Sequence, residues 1–507
     1  MSEPVTGNRL IAKNATVLYI RMFFTMAISF YTSRIVLQAL GVSDYGIYNV
    51  VGGTIVLIDV LVAALGSATS RFLTFALGKN DLDNLKKTFS TAAWVHLGLA
   101  LVFVLMAETI GLWFVNTQLV IPEGRMIAAN WVYQAAVVNF AMGITQTPYS
   151  ASITSHERMS TFAYIAVINA VCKLGIAAIV LYYSGDHLIL YSILLMSLAI
   201  SFRIYYRHYC VKHFEECHIT KQFDKLLLKE MVAFSSWNML GSITLTIKNQ
   251  GVNILLNRFF GTLLNAASGV ALQVQGLLYA FTGNITTAFN PQIIKSYASK
   301  KYERVNELIG LGTKFTALVT ILTTIPFIFN MEFLMSIWLK EVPQGAVNIC
   351  QILLFANFFN SYNTFVNTAI IASGKIKSLN IFLSTFYVIV LFGTWGILKI
   401  SHSYLWAYVW GLVSCPLSTI VYLFLLKRIM PTFSARAFIK KTYLPLFGTA
   451  LVSLGLAALM ANYIANPLAS FLCISIICTS FVLIAAYSFV FDKNVRNQIK
   501  AFVKSKF

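Results

Sequence analysis

Five cations stand inside long apolar stretches: Arg21, Arg34, Lys173, Lys248 and Lys314. A charge at the centre of a bilayer costs about 2.5–3.5 kcal/mol on insertion scales and more on an isolated helix, so it normally faces a cavity, water or a partner. Lys173, with Asn169 one turn before it, is the most expensive of the five if unpaired. Arg21, Thr25, Ser29 and Thr32 recur at spacings of four, four and three, which puts them on one helical face. That face reads as lining a cavity or, equally, as an Arg21 that snorkels to the interface. Arg34 lies on the opposite face. Two further stripes are richer in amides. Ser242, Thr246, Asn249, Asn253 and Asn257 form one, and Asn357, Asn360, Thr364 and Asn367 form the other. Aligned amides suit a wet cavity, although polar residues also glue membrane helices to each other. Lys248 sits about 120° from the first stripe at 100° per residue. Asp59, among Gly52, Ala63 and Gly66, is the acid placed to take up a coupling Na⁺ or H⁺, or to pair with one of the cations.

The elements that carry these residues are membrane helices. Hydrophobic residues make up 58% of 507, and charged residues 11%, against roughly a quarter in soluble domains. The chain divides into about fourteen apolar stretches, from 14–40 to 467–491, each near the length of about 20 residues that spans the hydrocarbon core. They are continuously apolar rather than alternating, which argues against a β-barrel. The expected fold class is an all-α polytopic membrane protein. The net charge of +20 invites a nucleic-acid reading, but its distribution argues otherwise. Threaded through fourteen spans, 29 of the 38 Lys and Arg fall on one side and four on the other. That bias places both termini and the larger loops in the cytoplasm. No soluble segment is long enough to gather the basic face that nucleic acid requires. The first apolar run is too long for a signal-peptide core and is expected to remain as helix one.

Other chemistries find little support. Cys210, His213, Cys217 and His218 share one basic segment, yet their spacing matches no standard zinc pattern, so no metal is expected. No phosphate-binding Gly-x4-Gly-Lys-Ser/Thr loop is present, and hence no ATP-driven engine. The acids outside the apolar stretches are scattered, without the paired carboxylates or large loop of a membrane-embedded glycan polymerase or ligase. The chain is therefore not expected to be an enzyme, and no cofactor is expected beyond the coupling ion.

The sequence also repeats itself. A shift of 220 residues lays Ile35-Val36, Gly41 and Ala68 on Leu255-Leu256, Gly261 and Ala288, and the basic segment 73–87 on 293–307. A shift of 218 lays Ala151 and Ser155 on Ala369 and Ser373. Two six-helix units in parallel orientation, with a substrate path between them, explain such a repeat. The expected divisions are 1–206, a cytoplasmic linker 207–229, 230–427, and two extra helices with a basic tail at 428–507.

In this pattern the chain resembles the polysaccharide flippases of the multidrug/oligosaccharidyl-lipid/polysaccharide exporter superfamily. The residues that carry the resemblance run from Ser33 to Tyr48, with Leu40-Gly41, Tyr45-Gly46 and Tyr48 the most specific. Ser70-Arg71-Phe72, 76–79 and Phe289-Asn290-Pro291-Gln292 add to it. The resemblance implies two six-helix lobes around a central cavity, two further helices and alternating access. It implies a multi-pass protein of the bacterial inner membrane that moves a polyprenyl-pyrophosphate-linked oligosaccharide to the outer leaflet for O-antigen or capsule synthesis. Its partners would be that lipid-linked substrate, the bilayer and other polysaccharide-assembly proteins, not nucleic acid. On this reading Lys173, with Arg34, Arg21 and Lys248, would hold the pyrophosphate, and the amide stripes would tolerate sugar. The rival within the superfamily is a multidrug or organic-cation antiporter, which would want acids in its cavity. The excess of embedded cations favours an anionic substrate.

Overall fold

The computed structural model describes residues 3–53, 59–119, 121–122, 124–220, 224–260, 262–339, 341–401, 403–493 and 495–497. Side chains are described for the same residues except 3–6, 42, 52–53, 59–61 and 262–263. Among the described residues every regular element is helical. The chain forms two compact units, Met1–Met239 and Leu240–Phe507.

The first unit contains α1 (Glu3–Gly53), α2 (Asp59–Gly78), α3 (Leu82–Met106), α4 (Leu112–Thr117), α5 (Met126–Ser155), α6 (Met159–Leu181) and α7 (His187–His213). The start of α8 (Lys225–Phe260) also lies in it, so the boundary between the units falls inside a helix. α1 is two helices joined at Gly41, whose φ of 71° and ψ of 171° leave the helical region. A left-handed φ favours glycine, which explains the Leu40-Gly41 step of the sequence motif. The second half of α1 carries Asp44. Arg125 at the start of α5 clamps that carboxylate and Asp186 together. Its Nε donates to Asp44 Oδ1 at 3.0 Å, its Nη1 donates to Asp186 Oδ2 at 2.5 Å, and its Nη2 bonds both acids. Asp186 is also the N-cap of α7, accepting from the amides of Leu188 and Ile189, which is the preferred role of aspartate at a helix start. The bond to Asp186 raises the guanidinium pKa of Arg125. Burial alone would push the Asp186 carboxyl up, but the bonds from Arg125 and from the Ile189 amide hold it below its ordinary value.

A π-helical turn, Ala107–Gly111, interrupts α3 and α4. Here Ala107 O accepts from the Leu112 amide and also from the buried Tyr133 hydroxyl, the latter at 2.8 Å. Gly111 makes the approach possible, since any Cβ there would overlap the tyrosine oxygen. Within this unit, residues 206–217 do not hang free as a linker. Tyr206, Cys210, Phe214 and Cys217 are buried in one core with Phe89, Tyr149 and Ile153, and buried Glu216 pairs with His156 at 2.6 Å.

The second unit contains the rest of α8, then α9 (Thr262–Ala298), α10 (Tyr302–Phe329), α11 (Met331–Trp338) and α12 (Ala346–Ser373). α13 (Lys377–Ser401), α14 (Tyr404–Ile429), α15 (Ala435–Phe438), α16 (Leu444–Tyr463) and α17 (Pro467–Ala485) follow. A core of Ala317, Ile321, Phe358, Leu446, Ile474 and Val482 packs α16 and α17 against α10 and α12. A second core joins Leu256, Ala271, Leu278, Ile349, Leu354 and Leu398. α10 and α12 approach closely at Gly312, where a Cβ would lie 2.8 Å from the ring of Phe365.

Among the described residues ten helices are long and apolar enough to cross a membrane, by length and composition. The chain is a multi-pass membrane protein. α8, α9 and α12 are 36, 37 and 28 residues long yet fall outside the ten. Their amides and hydroxyls lower their apolarity, and those same groups build the site described next. With α2, whose first side chains are not described, they complete the fourteen stretches read from the sequence.

Candidate functional site

The second unit encloses a cavity of about 640 Å³. Polar residues on α8, α9 and α12 meet there, with tyrosines from α13 and α14. From α8 come Leu245, Lys248, Asn249, Val252 and Asn253, at spacings of three, four, seven and eight from the first, one face of a helix. The sequence stripe and this face share Asn249 and Asn253 and differ by a rotation. Lys248 therefore lines the cavity, whereas Ser242, Thr246 and Asn257 do not. The α12 stripe enters whole, as Asn357, Asn360, Thr364 and Asn367.

Hydrogen bonds fix some of these amides and leave others open. Tyr408 OH donates to Ser268 Oγ at 2.9 Å, and Ser268 Oγ donates to Asn253 Oδ1 at 3.1 Å. Gln275 Nε2 donates to Asn357 Oδ1 at 3.0 Å and to Leu353 O at 3.2 Å. In both cases the asparagine oxygen is used and its NH₂ remains available. Thr368 Oγ1 donates to Asn290 Oδ1 at 2.9 Å. Asn249, Asn360 and Asn367 line the cavity and make no side-chain hydrogen bond among the described residues. The ammonium of Lys248 lies 6.0 Å from the ring centroid of Tyr387, within the usual reach of a cation–π contact. Among the described residues no Asp or Glu lines the cavity. A wall of fixed and open amides, phenol rings and one cation can bind hydroxyl-rich, neutral or anionic groups. Among the described residues it offers a cationic ligand amide and hydroxyl oxygens and ring faces, but no carboxylate.

The α9 wall was missed in the sequence. Ser268, Gln275, Tyr279, Thr286 and Asn290 line the cavity at successive spacings of 7, 4, 7 and 4. That spacing confines them to about 60° of arc at 100° per residue, so the signal was present.

The remaining candidates lie elsewhere. Arg21 is half-buried over the ring of Phe162 at 5.1 Å. Thr25 donates its hydroxyl to Arg21 O at 2.9 Å. Ser29, Arg34 and Lys173 are exposed on α1 and α6 of the first unit. The Asp59 side chain lies outside the described residues. Lys314 pairs with Asp492 at 3.0 Å. Cys210 and Cys217 point into a core while His213 and His218 are exposed. No cluster of three or more metal-ligating side chains forms among the described residues.

No family model matches the chain, and no curated protein does. Solved structures do match. An outward-facing multidrug resistance MATE family transporter of the MOP superfamily aligns at a TM-score of 0.70 and 13% identity, over 84% of this chain and 98% of that one. A MATE structure in complex with MaD3S aligns at 0.70 and 14%, over 84% and 97%. A MOP superfamily transporter from Pyrococcus furiosus, in which reverse polarity of the binding pocket suggests a different function, aligns at 0.71 and 12%, over 83% and 98%. The chain thus has the fold of the MATE transporters of the MOP superfamily.

Proposed function

We propose that the chain is a transporter that moves a polyprenyl-pyrophosphate-linked oligosaccharide from the inner to the outer leaflet of a bacterial inner membrane, by alternating access, for surface polysaccharide synthesis. The observation that carries this reading is the composition of the second-unit cavity. Asparagines from α8, α9 and α12, with Gln275, provide donors and acceptors for sugar hydroxyls, Tyr387 and Tyr408 provide faces for sugar C–H groups, and Lys248 meets the negative charge. The volume lies within the range of about 300–1,000 Å³ usual for ligand sites. An organic-cation antiporter would want an acid in its cavity, and this wall has none among the described residues. Lys173, Arg34 and Arg21 in the first unit are the further cations of the anionic path. Asp59 is the acid for coupling to a Na⁺ or H⁺ gradient, since the sequence carries no nucleotide-binding loop.

The test is reconstitution. Proteoliposomes containing the purified chain should translocate a fluorescent polyprenyl-pyrophosphate oligosaccharide faster than empty vesicles, with a rate that responds to an imposed pH or Na⁺ gradient. They should not accumulate ethidium or tetraphenylphosphonium. Gradient-driven uptake of those cations with no movement of the lipid-linked glycan would replace this reading with the antiporter.

A further inference from the structure

The second unit holds a second cavity, of about 320 Å³, that shares no lining residue with the first. It lies where α10 meets the segment before α16 and the segment after α17, at the end that carries the basic stretches 295–304 and 427–441. Lys314 lines it from α10. Its side chain is 5% exposed, and its partner Asp492, at 3.0 Å, is 69% exposed. This ion pair is lopsided. A buried lysine that loses its anion is left uncompensated, which is costly. A solvated aspartate that lets go loses little. The pocket therefore requires an anion on Lys314 but does not require this one.

It also holds more donors than one carboxylate can use. Lys441 is exposed in the same lining and has no acidic partner among the described residues. Thr442 and Ser434 line it too. Ser434 Oγ accepts from the Ala437 amide at 3.3 Å as the N-cap of α15, which leaves its own proton free to donate. The second acid in the lining, Glu307, is taken by Arg304 at 2.7 Å. Both segments that close the pocket are distorted. Lys441 and Thr442 sit in a π-helical turn, Ile439–Tyr443, and Asp492 follows another, Ala486–Val490. π-turns are rare and frequently mark functional sites. A phosphate brings up to two negative charges and three strong acceptor oxygens, which suits two lysines and two hydroxyls better than a single carboxylate does.

We propose that this cavity is a binding site for a phosphate group, which displaces Asp492 from Lys314 and recruits Lys441, so that the segment after α17 acts as a resident competitor. The phosphate can belong to an anionic lipid headgroup or to a soluble ligand. Thermal unfolding of the full-length chain in phosphatidylcholine nanodiscs, with inorganic phosphate titrated in one arm and phosphatidylglycerol content raised in the other, separates the two. The melting temperature should rise saturably in at least one arm. A rise with inorganic phosphate points to a soluble ligand, and a rise with phosphatidylglycerol alone points to a headgroup. Lys441→Ala, an exposed change, should weaken the apparent affinity roughly tenfold with little effect on the anion-free melting temperature. Asp492→Asn should melt lower without anion and bind the anion several-fold more tightly. No rise in either arm, or a Lys441→Ala titration that superimposes on wild type, would overturn the proposal.

Discussion

Lys248→Ala is expected to remove most glycan from the surface of cells that depend on this chain, with the amount of protein in the membrane unchanged. Among the described residues Lys248 is the sole cation in the lining of the amide cavity, and no carboxylate there competes for it. A hydrogen bond to a charged group is worth about 1.5–3 kcal/mol, so its loss should cost about tenfold to a hundredfold in affinity for the pyrophosphate. The alanine variant should fold, because Lys248 is only half-buried and its contact with the Tyr387 ring is a loose one. Lys248→Arg should retain part of the display, since charge matters more here than fork geometry. Quantitative immunoblotting of surface glycan alongside the protein itself checks this. Lys173→Ala, measured in the same way, weighs the first-unit candidate. Full display in Lys248→Ala with loss in Lys173→Ala would move the anion site to α6.

Arg125→Met should destabilise the first unit by about 1–3 kcal/mol, because it leaves two partly buried carboxylates facing each other without their shared donor. The effect has a sign that pH reveals. In the wild type the Asp186 carboxyl is held below its ordinary value, so its contribution is present above the ordinary aspartate range and is lost as pH falls through the lowered value. In the variant, Asp186 loses the donor that holds its carboxyl low, its protonated form is favoured, and stability should rise as pH falls from 7 towards 4. Melting curves of the two proteins should therefore converge on acidification. Parallel curves, equally separated at every pH, would show that Arg125 acts through packing alone.

The sequence made the helices legible because apolar length is a strong signal, and it made the α12 wall legible because four polar residues kept one register. The α8 wall was half legible. The stripe from Ser242 to Asn257 and the true face share two residues, and periodicity alone cannot choose between rows that differ by a small rotation. The choice is made by packing, since Leu256, next to Asn257, is completely buried in the core of the second unit. The α9 wall was readable but diluted over 23 residues. Partners distant in the chain were out of reach. Nothing local connects Lys314 to Asp492, 178 residues away, or Asp44 to Arg125, 81 away. Lys314 had been counted among the embedded cations, and its partner shows it to be one end of an ion pair outside the amide cavity. The segment 207–229, polar and basic in sequence, looked like a connector, yet its first part is held in a core by Tyr206, Cys210, Phe214 and Cys217. Buried cysteine and aromatic residues inside a basic stretch were the available clue.

The amide cavity of the second unit is expected to receive the glycan pyrophosphate. A polyprenyl-pyrophosphate oligosaccharide carrying a diazirine on its first sugar, irradiated with the purified chain in nanodiscs and mapped by peptide mass spectrometry, tests it most directly. The label should appear on the α8, α9 and α12 peptides that contain Lys248, Gln275 and Asn360, and should diminish with excess unlabelled substrate and in Lys248→Ala. Label confined to other helices, or unchanged by competitor, would contradict it.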